Sequence, residues 1–329
     1  MLRRILIGTM LLLVLATGGF FVWFGLVLPT DMPIPKAQAV ATPESLARGE
    51  YLARHVTVCM DCHSTRDWSR FSGPIVPGTL GKGGERFDEK IGLPGVIISK
   101  NITPAALGNW SDGEILRAMA GGISKDGHAL FPLMPYDAYR FMDESDALAI
   151  IAYVRSIPAI DNQVPRHQLD FPLNLIVNAI PKPPAFKQID RSNTVEYGRY
   201  LATLGGCTWC HTPVNAQSRP IPEMALAGGQ AFPMQGGTVR SANISPDPDT
   251  GIGRWSRADF IARFRAYQGP EAEQLPLGAD GFNTQMSWTQ FAGMTDDDLG
   301  AIYAFLIQSK PISNRITVWE LAAAADNAR

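Results

Sequence analysis

The pattern of apolar and polar positions divides the chain into one unbroken hydrophobic run and a series of amphipathic segments punctuated by glycine and proline. Residues 5 to 28 carry no charge and no proline, 24 positions in all. As a helix they would extend about 36 Å, enough to cross a hydrocarbon core of roughly 30 Å. Arg3 and Arg4 precede the run, so the positive-inside rule leaves the N-terminus in the cytoplasm and everything after Leu28 across the membrane. A cleaved export signal is the rival reading, because Ala37-Gln38-Ala39 resembles a small-residue cleavage site. The run is longer than the ~7–15 apolar residues of such signals, which favours an uncleaved anchor.

Beyond the run, polar residues mark where helices start. Ser111 with Glu114 forms a capping box and Ser256 with Asp259 a weaker one, predicting helices over 112–120 and 257–267. A later helix opens near Asp143 and runs through Leu148, Ile151 and Tyr153. Its counterpart opens at Thr295, with Asp296, Asp297 and Asp298 complementing the helix dipole and Ile302, Phe305 and Leu306 as the buried stripe. Pro158 and Pro311 end these helices. Prolines at 158, 165, 172, 181, 183 and 184 interrupt any helix between the halves, so residues 161–191 read as an ordered linker whose apolar part, 173–177, packs on a domain or a partner. The glycine-rich segments 78–84 and 228–237 read as loops. They lack the strand-then-helix context of a phosphate-binding turn.

The second half repeats the first. Gly49-Glu50-Tyr51-Leu52-Ala53 matches Gly198-Arg199-Tyr200-Leu201-Ala202, Asn101-Ile102-Thr103-Pro104 matches Asn243-Ile244-Ser245-Pro246, and Trp110-Ser111 matches Trp255-Ser256. Each half also carries Cys-x-x-Cys-His, at Cys59-Met60-Asp61-Cys62-His63 and Cys207-Thr208-Trp209-Cys210-His211, which together use all 4 cysteines. That pattern reads as covalent attachment of c-type haem. Two thiols bond the porphyrin edge as thioethers and the adjacent imidazole ligates iron. A helical turn brings positions i, i+3 and i+4 to one side, so one short segment can present all three groups. No cysteine remains for a disulfide or a thiol nucleophile. A zinc ribbon would place its second pair ~15–20 residues on, whereas here the pairs lie 148 apart. A thioredoxin-like pair would need a βαβ context that is missing.

Composition adds bounds. At 329 residues the chain can hold two small domains and a tail. Lys+Arg 29 against Asp+Glu 31 gives near neutrality without a basic stripe, so nucleic acid is not an expected partner. Charged residues are 18%, which fits a membrane stretch plus domains wrapped around an apolar cofactor.

The sixth ligand separates an electron carrier from an enzyme. The second half has one histidine, His211, and the motif uses it; its methionines are Met224, Met234, Met286 and Met294. Asp146 and Asp298 stand 152 positions apart, and so do Met134 and Met286. Both methionines precede the final helix and an aromatic, in Met134-Pro135-Tyr136 and Met286-Ser287-Trp288. His63/Met134 and His211/Met286 are therefore the expected axial pairs, His/Met being the pairing of such cytochromes. The bland reading is that the methionines are core. In the first half His128 is a rival ligand. His55 lies four residues before Cys59 and stays on the proximal helix.

On these motifs the chain resembles dihaem members of the class I cytochrome c family. More narrowly, it is similar to the membrane-anchored cytochrome c subunits of bacterial alcohol, aldehyde and gluconate dehydrogenases, which carry three haems where this chain has two motifs. The resemblance covers about 43–310. It implies a mostly α fold, an N-terminal transmembrane helix (1–30) followed by two tandem class I cytochrome c domains (43–160 and 192–313), joined by the linker (161–191) and ended by a tail (314–329). It implies first and last helices crossing at a glycine against an aromatic, Gly49 at Tyr153 and Gly198 at Phe305. It also implies Trp110, Trp255 or Arg240 at the haem propionates, the tryptophans being equally readable as core.

The expected function is single-electron transfer by two covalent haem c groups. The expected place is the bacterial inner membrane, single-pass, with the haem domains in the periplasm. The expected partners are a membrane-bound dehydrogenase, a quinol-linked complex or a terminal oxidase. Two rivals stand beside this: a dihaem peroxidase with one open iron site, and a docking anchor for a soluble dehydrogenase using residues 171–177 and 316–329.

Overall fold

The computed structural model describes residues 1–23, 28 and 32–322. The predicted apolar span is helical as α1 (Leu2–Val22), about 32 Å long at ~1.5 Å per residue and with none of its described residues buried. Within the predicted span, residues 24–27 lie outside the described residues.

Helices dominate the remainder of the chain. The first half contains α2 (Pro43–Tyr51), continued by a π-helical turn over Leu52–Val56, then α3 (Cys59–Cys62), α4 (Pro104–Leu107), α5 (Asp112–Gly121), α6 (Tyr136–Tyr139) and α7 (Glu144–Ser156). After α8 (Leu173–Ile176) the second half contains α9 (Thr194–Leu204), α10 (Cys207–Cys210), α11 (Arg257–Arg265), α12 (Trp288–Phe291) and α13 (Asp296–Ile307). The capping boxes at Ser111 and Ser256 open α5 and α11 as expected, and Asp143 and Thr295 cap α7 and α13.

In each half the first helix packs on the last, α2 on α7 and α9 on α13. Glycine makes the approach possible. A Cβ on Gly49 would fall 1.9 Å from the Ala149 carbonyl oxygen and 2.9 Å from Tyr153 Cβ. One on Gly198 would fall 1.8 Å from the Ala301 oxygen. At Gly198 the nearest atoms are thus the α13 backbone at Ala301 and Ile302; Phe305 instead lies under the Arg199 guanidinium, 5.2 Å from its ring centre.

Two small antiparallel sheets accompany the helices. The first runs β1 (Arg86–Phe87), β2 (Gly95–Ile98), β3 (Gln168–Leu169), and the second β4 (Ala231–Met234), β5 (Gly237–Arg240), β6 (Trp319–Leu321). The segment 228–237, expected as loop, thus contributes most of a hairpin closed by a tight turn at Gly236, whose φ is +94°. Both third strands come from chain beyond the closing helix. β3 lies in the predicted linker and β6 in the predicted tail.

One core runs through both halves. Leu52, Val56, Met60, Leu116 and Ile151 join Leu201, Leu299 and Leu306 in it. The joint has reciprocal polar contacts. Tyr51 donates its hydroxyl to Asp298 Oδ2 at 2.5 Å and accepts from the Thr295 amide. Tyr200 donates to Asp146 Oδ2 at 2.8 Å and accepts from the Asp143 amide. Each first helix therefore caps the other half's last helix, as in a self-complementary two-fold interface.

Candidate functional site

Each Cys-x-x-Cys-His segment begins at a residue in the left-handed region, Val58 (φ +45°) and Gly206 (φ +73°), and then makes a single helical turn, α3 or α10. The reversal turns the chain sharply out of the preceding helix, so both cysteines and the histidine project from one short element. Glycine adopts that conformation freely, whereas a β-branched valine does so only under strain.

The histidines are held identically. His63 Nδ1 lies 2.6 Å from the Lys100 carbonyl oxygen and His211 Nδ1 lies 2.7 Å from the Ala242 oxygen. A carbonyl only accepts, so Nδ1 carries the proton and Nε2 keeps its lone pair for a metal. Burial pushes both imidazoles below their ordinary basicity, against the opposing pull of these carbonyls, and keeps them neutral near pH 7.

The Asn-Ile-Thr/Ser-Pro repeats fix those carbonyls. Asn101 Nδ2 donates to Ile160 O at 2.8 Å, and Asn243 Nδ2 donates to Ile312 O at the same distance. Their Oδ1 atoms accept from the Thr103 and Ser245 amides. Thr103 and Ser245 hydroxyls in turn accept from the Ile160 and Ile312 amides. Both clamps are buried. They tie the residue just ahead of each asparagine, Lys100 or Ala242, to the chain beyond the closing helix.

Burial raises all four thiols, Cys207 to about 11 and both Cys62 and Cys210 to about 12. After burial, charge on Cys207 and then on Cys62 raises Cys210 further. Protonated thiols of this kind do not suit a thiolate redox pair. Among the described residues, no three His, Cys, Asp or Glu side chains converge as zinc ligands would. The donor set therefore fits a porphyrin edge joined at two sulfurs, with an imidazole beside it.

Met134 and Met286 occupy the same backbone device. The Tyr136 amide donates to Met134 O at 2.7 Å across Pro135 (φ −78°, ψ 53°), and the Trp288 amide to Met286 O at 2.8 Å across Ser287 (φ −78°, ψ 61°). Both are inverse γ-turns opening a short helix, α6 or α12. Both methionines are partly buried against the core. Of the other second-half methionines, Met294 is core at 2% exposure and Met234 Sδ accepts from the Gln285 amide.

The rival histidines are otherwise engaged. His128 is half exposed on a surface turn, 3.2 Å from Asp126 Oδ1 and 2.5 Å from Arg166 Nη1. His55 reaches into the other half, with Nδ1 2.7 Å from Gln290 O. Arg240 pairs with Glu320, Trp110 packs on the core, and Trp255 is on the surface. Two groups escaped sequence reasoning. Asp61 is buried inside the first motif, and Ser72 is buried with φ +64°. The sequence signal for them was an acid between the two cysteines of the first motif.

No family model matches the chain. It is similar to the fructose dehydrogenase cytochrome subunit of Gluconobacter japonicus, 29% identical over 83% of this chain and 54% of that protein. It is similar to the gluconate 2-dehydrogenase cytochrome c subunit of Pantoea cypripedii, 29% identical over 85% of this chain and 63% of that one. A dihaem cytochrome c-type protein of Cereibacter sphaeroides is 28% identical over 90% of this chain and 95% of its own length. The chain thus spans little more than half the length of the dehydrogenase subunits it matches. The resemblance carried by the motifs is borne out in these likenesses.

Proposed function

We propose that the chain is a membrane-anchored dihaem c-type cytochrome that carries single electrons and is not itself an enzyme. It is read as two tandem class I cytochrome c domains, 43–160 and 192–313. Cys59 and Cys62, with His63 and Met134, would hold one haem c; Cys207 and Cys210, with His211 and Met286, would hold the other. The observation that carries the reading is the duplicated site, with the same imidazole-to-carbonyl bond, asparagine clamp and methionine turn in both halves. Haem c, when bound, supplies one-electron exchange between ferric and ferrous iron.

The chain's own residues do the rest. The cysteines would fasten the group, the imidazoles are held by backbone carbonyls with Nε2 left to ligate, and the methionine sulfurs would complete the ligand set. A thioether ligand would favour the reduced state relative to a second imidazole. The single core shared by both halves, with Cys59 and Cys207 both packed against it, supports electron passage within the molecule. The apolar helix α1 supports anchoring, with the N-terminus in the cytoplasm and the haem domains in a bacterial periplasm. The relatives named as dehydrogenase subunits support a membrane-bound dehydrogenase as electron donor. A quinol-linked complex or a terminal oxidase completes the expected chain of partners.

The test is optical. Denatured, dialysed polypeptide should retain two equivalents of haem, and the oxidised native protein should show the far-red methionine-to-iron band at an intensity for two haems. A high-spin component with hydrogen peroxide turnover would favour the peroxidase reading instead. Purification from native membranes in mild detergent would separate a lone carrier from a dehydrogenase subunit.

A further inference from the structure

The two motifs differ at both positions between their cysteines, and most in burial at the second. That position holds Trp209, 51% exposed, in the second motif and Asp61, 3% exposed, in the first. Asp61 reaches into the other half. Its Oδ2 accepts from the Ser287 hydroxyl and pairs with Arg66 Nη1 at 2.9 Å. Arg66 also donates to Gly73 O at 2.7 Å and to Ser72 O, and its guanidinium lies 4.0 Å from the centre of the Trp68 ring. These bonds hold residues 66–73 in a shape that puts Ser72 at φ +64°, where a non-glycine residue is strained.

Ser72 uses that conformation. Its hydroxyl donates to Met286 O at 2.6 Å and accepts from the Trp288 amide at 3.0 Å, so it straddles the turn that presents Met286. Its amide donates to Asn283 Oδ1 at 2.8 Å, and the Asn283 amide group returns to Trp68 O and Arg70 O. The Met134 turn is held differently. Its bonds among the described residues come from its own half: the Tyr136 amide, Tyr136 hydroxyl to Leu130 O, and Tyr139 hydroxyl to Thr57 O.

We propose that Asp61, Arg66 and Ser72 are positioning residues for the second site, so that the first half sets how firmly Met286 is presented there while Met134 is set by its own half. This rests on Met286 being an axial ligand. In hydrogen bonds, that coupling runs from the first half to the Met286 turn.

The test uses the full-length, haem-loaded protein with imidazole as a competitor for the methionine position, read by the far-red band and by redox titration. Ser72→Ala and Asp61→Asn should keep two haem equivalents. One haem should then take imidazole at about tenfold lower concentration, as expected for loss of one buried hydrogen bond, and the other should be unchanged. Ser72→Gly, which fits the backbone but lacks the hydroxyl, should behave like Ser72→Ala and carries the test if the alanine variant does not load haem. If Met286→Ala removes half of the band while the Ser72 and Asp61 variants titrate like wild type, the brace is refuted and the ligand assignment stands. If Met286→Ala leaves the band whole, the ligand assignment fails and takes the brace with it.

Discussion

Replacing Gly198 with alanine puts a methyl group where α13 already stands. The new carbon would lie 1.8 Å from the Ala301 carbonyl oxygen and 2.3 Å from its carbon, against an ordinary contact near 3.4 Å. Both obstacles are backbone, so neither can swing aside, and α9 must move off α13 by about 1.5 Å. Overpacking of a fixed core costs about 3 kcal/mol at the upper end of its usual range. Alanine's better helix propensity returns about 1 kcal/mol. The net loss is therefore roughly 2 kcal/mol, which lowers the urea midpoint by about 0.7 M at a slope of ~3 kcal/mol/M. Far-UV circular dichroism of the haem-loaded protein measures it. Gly205→Ala is the control, since its added carbon meets nothing closer than 3.3 Å. A Gly198→Ala midpoint equal to those of wild type and Gly205→Ala would show that the helices do not cross at this glycine.

Met134→His should lower one of the two reduction potentials markedly and remove half of the far-red band; an unchanged redox titration would refute the role of Met134. Asn243→Ala should leave buried partners at Ile312 and Ser245 unsatisfied and cost about 1–3 kcal/mol in chemical denaturation; a midpoint like wild type would disprove the clamp. Stability should also fall in acid through Asp146. Burial alone would raise its carboxyl, but hydrogen bonding and charge from Arg48, then Tyr200 and Arg191, outweigh burial and hold it below the ordinary range. A depressed carboxylate contributes fully above its unfolded value, near 4, and loses that contribution as pH falls through its folded value. Asp146→Asn should flatten this part of the pH dependence, and identical slopes would contradict it.

Much of the fold was legible because local signals agreed with it. Ser111, Asp143, Ser256 and Thr295 sit where backbone amides need side-chain acceptors, and each does cap a helix. Cys-x-x-Cys-His was readable in both halves because the chemistry it implies is confined to a few adjacent positions. The Asn-Ile-Thr/Ser-Pro repeats were visible, but their clamping role was not, because the partners Ile160 and Ile312 contribute only backbone atoms. For the same reason linker and tail looked unrelated. Gln168 and Glu320 occupy matching third strands, yet strand pairing is made by main-chain groups that residue identity barely records. Asp61 and Ser72 were hidden because their contacts with the Met286 turn lie more than 200 positions away.

The reciprocal tyrosine–aspartate caps carry a lesson about ancestry. Such mutual exchange is what two identical molecules produce when they embrace about a dyad. A duplicated gene that fused after its product already paired would inherit this joint ready-made, with no need to invent complementary surfaces. Severing the polypeptide within residues 161–191 should then leave fragments that find each other again, each offering a phenol to the other's waiting carboxylate.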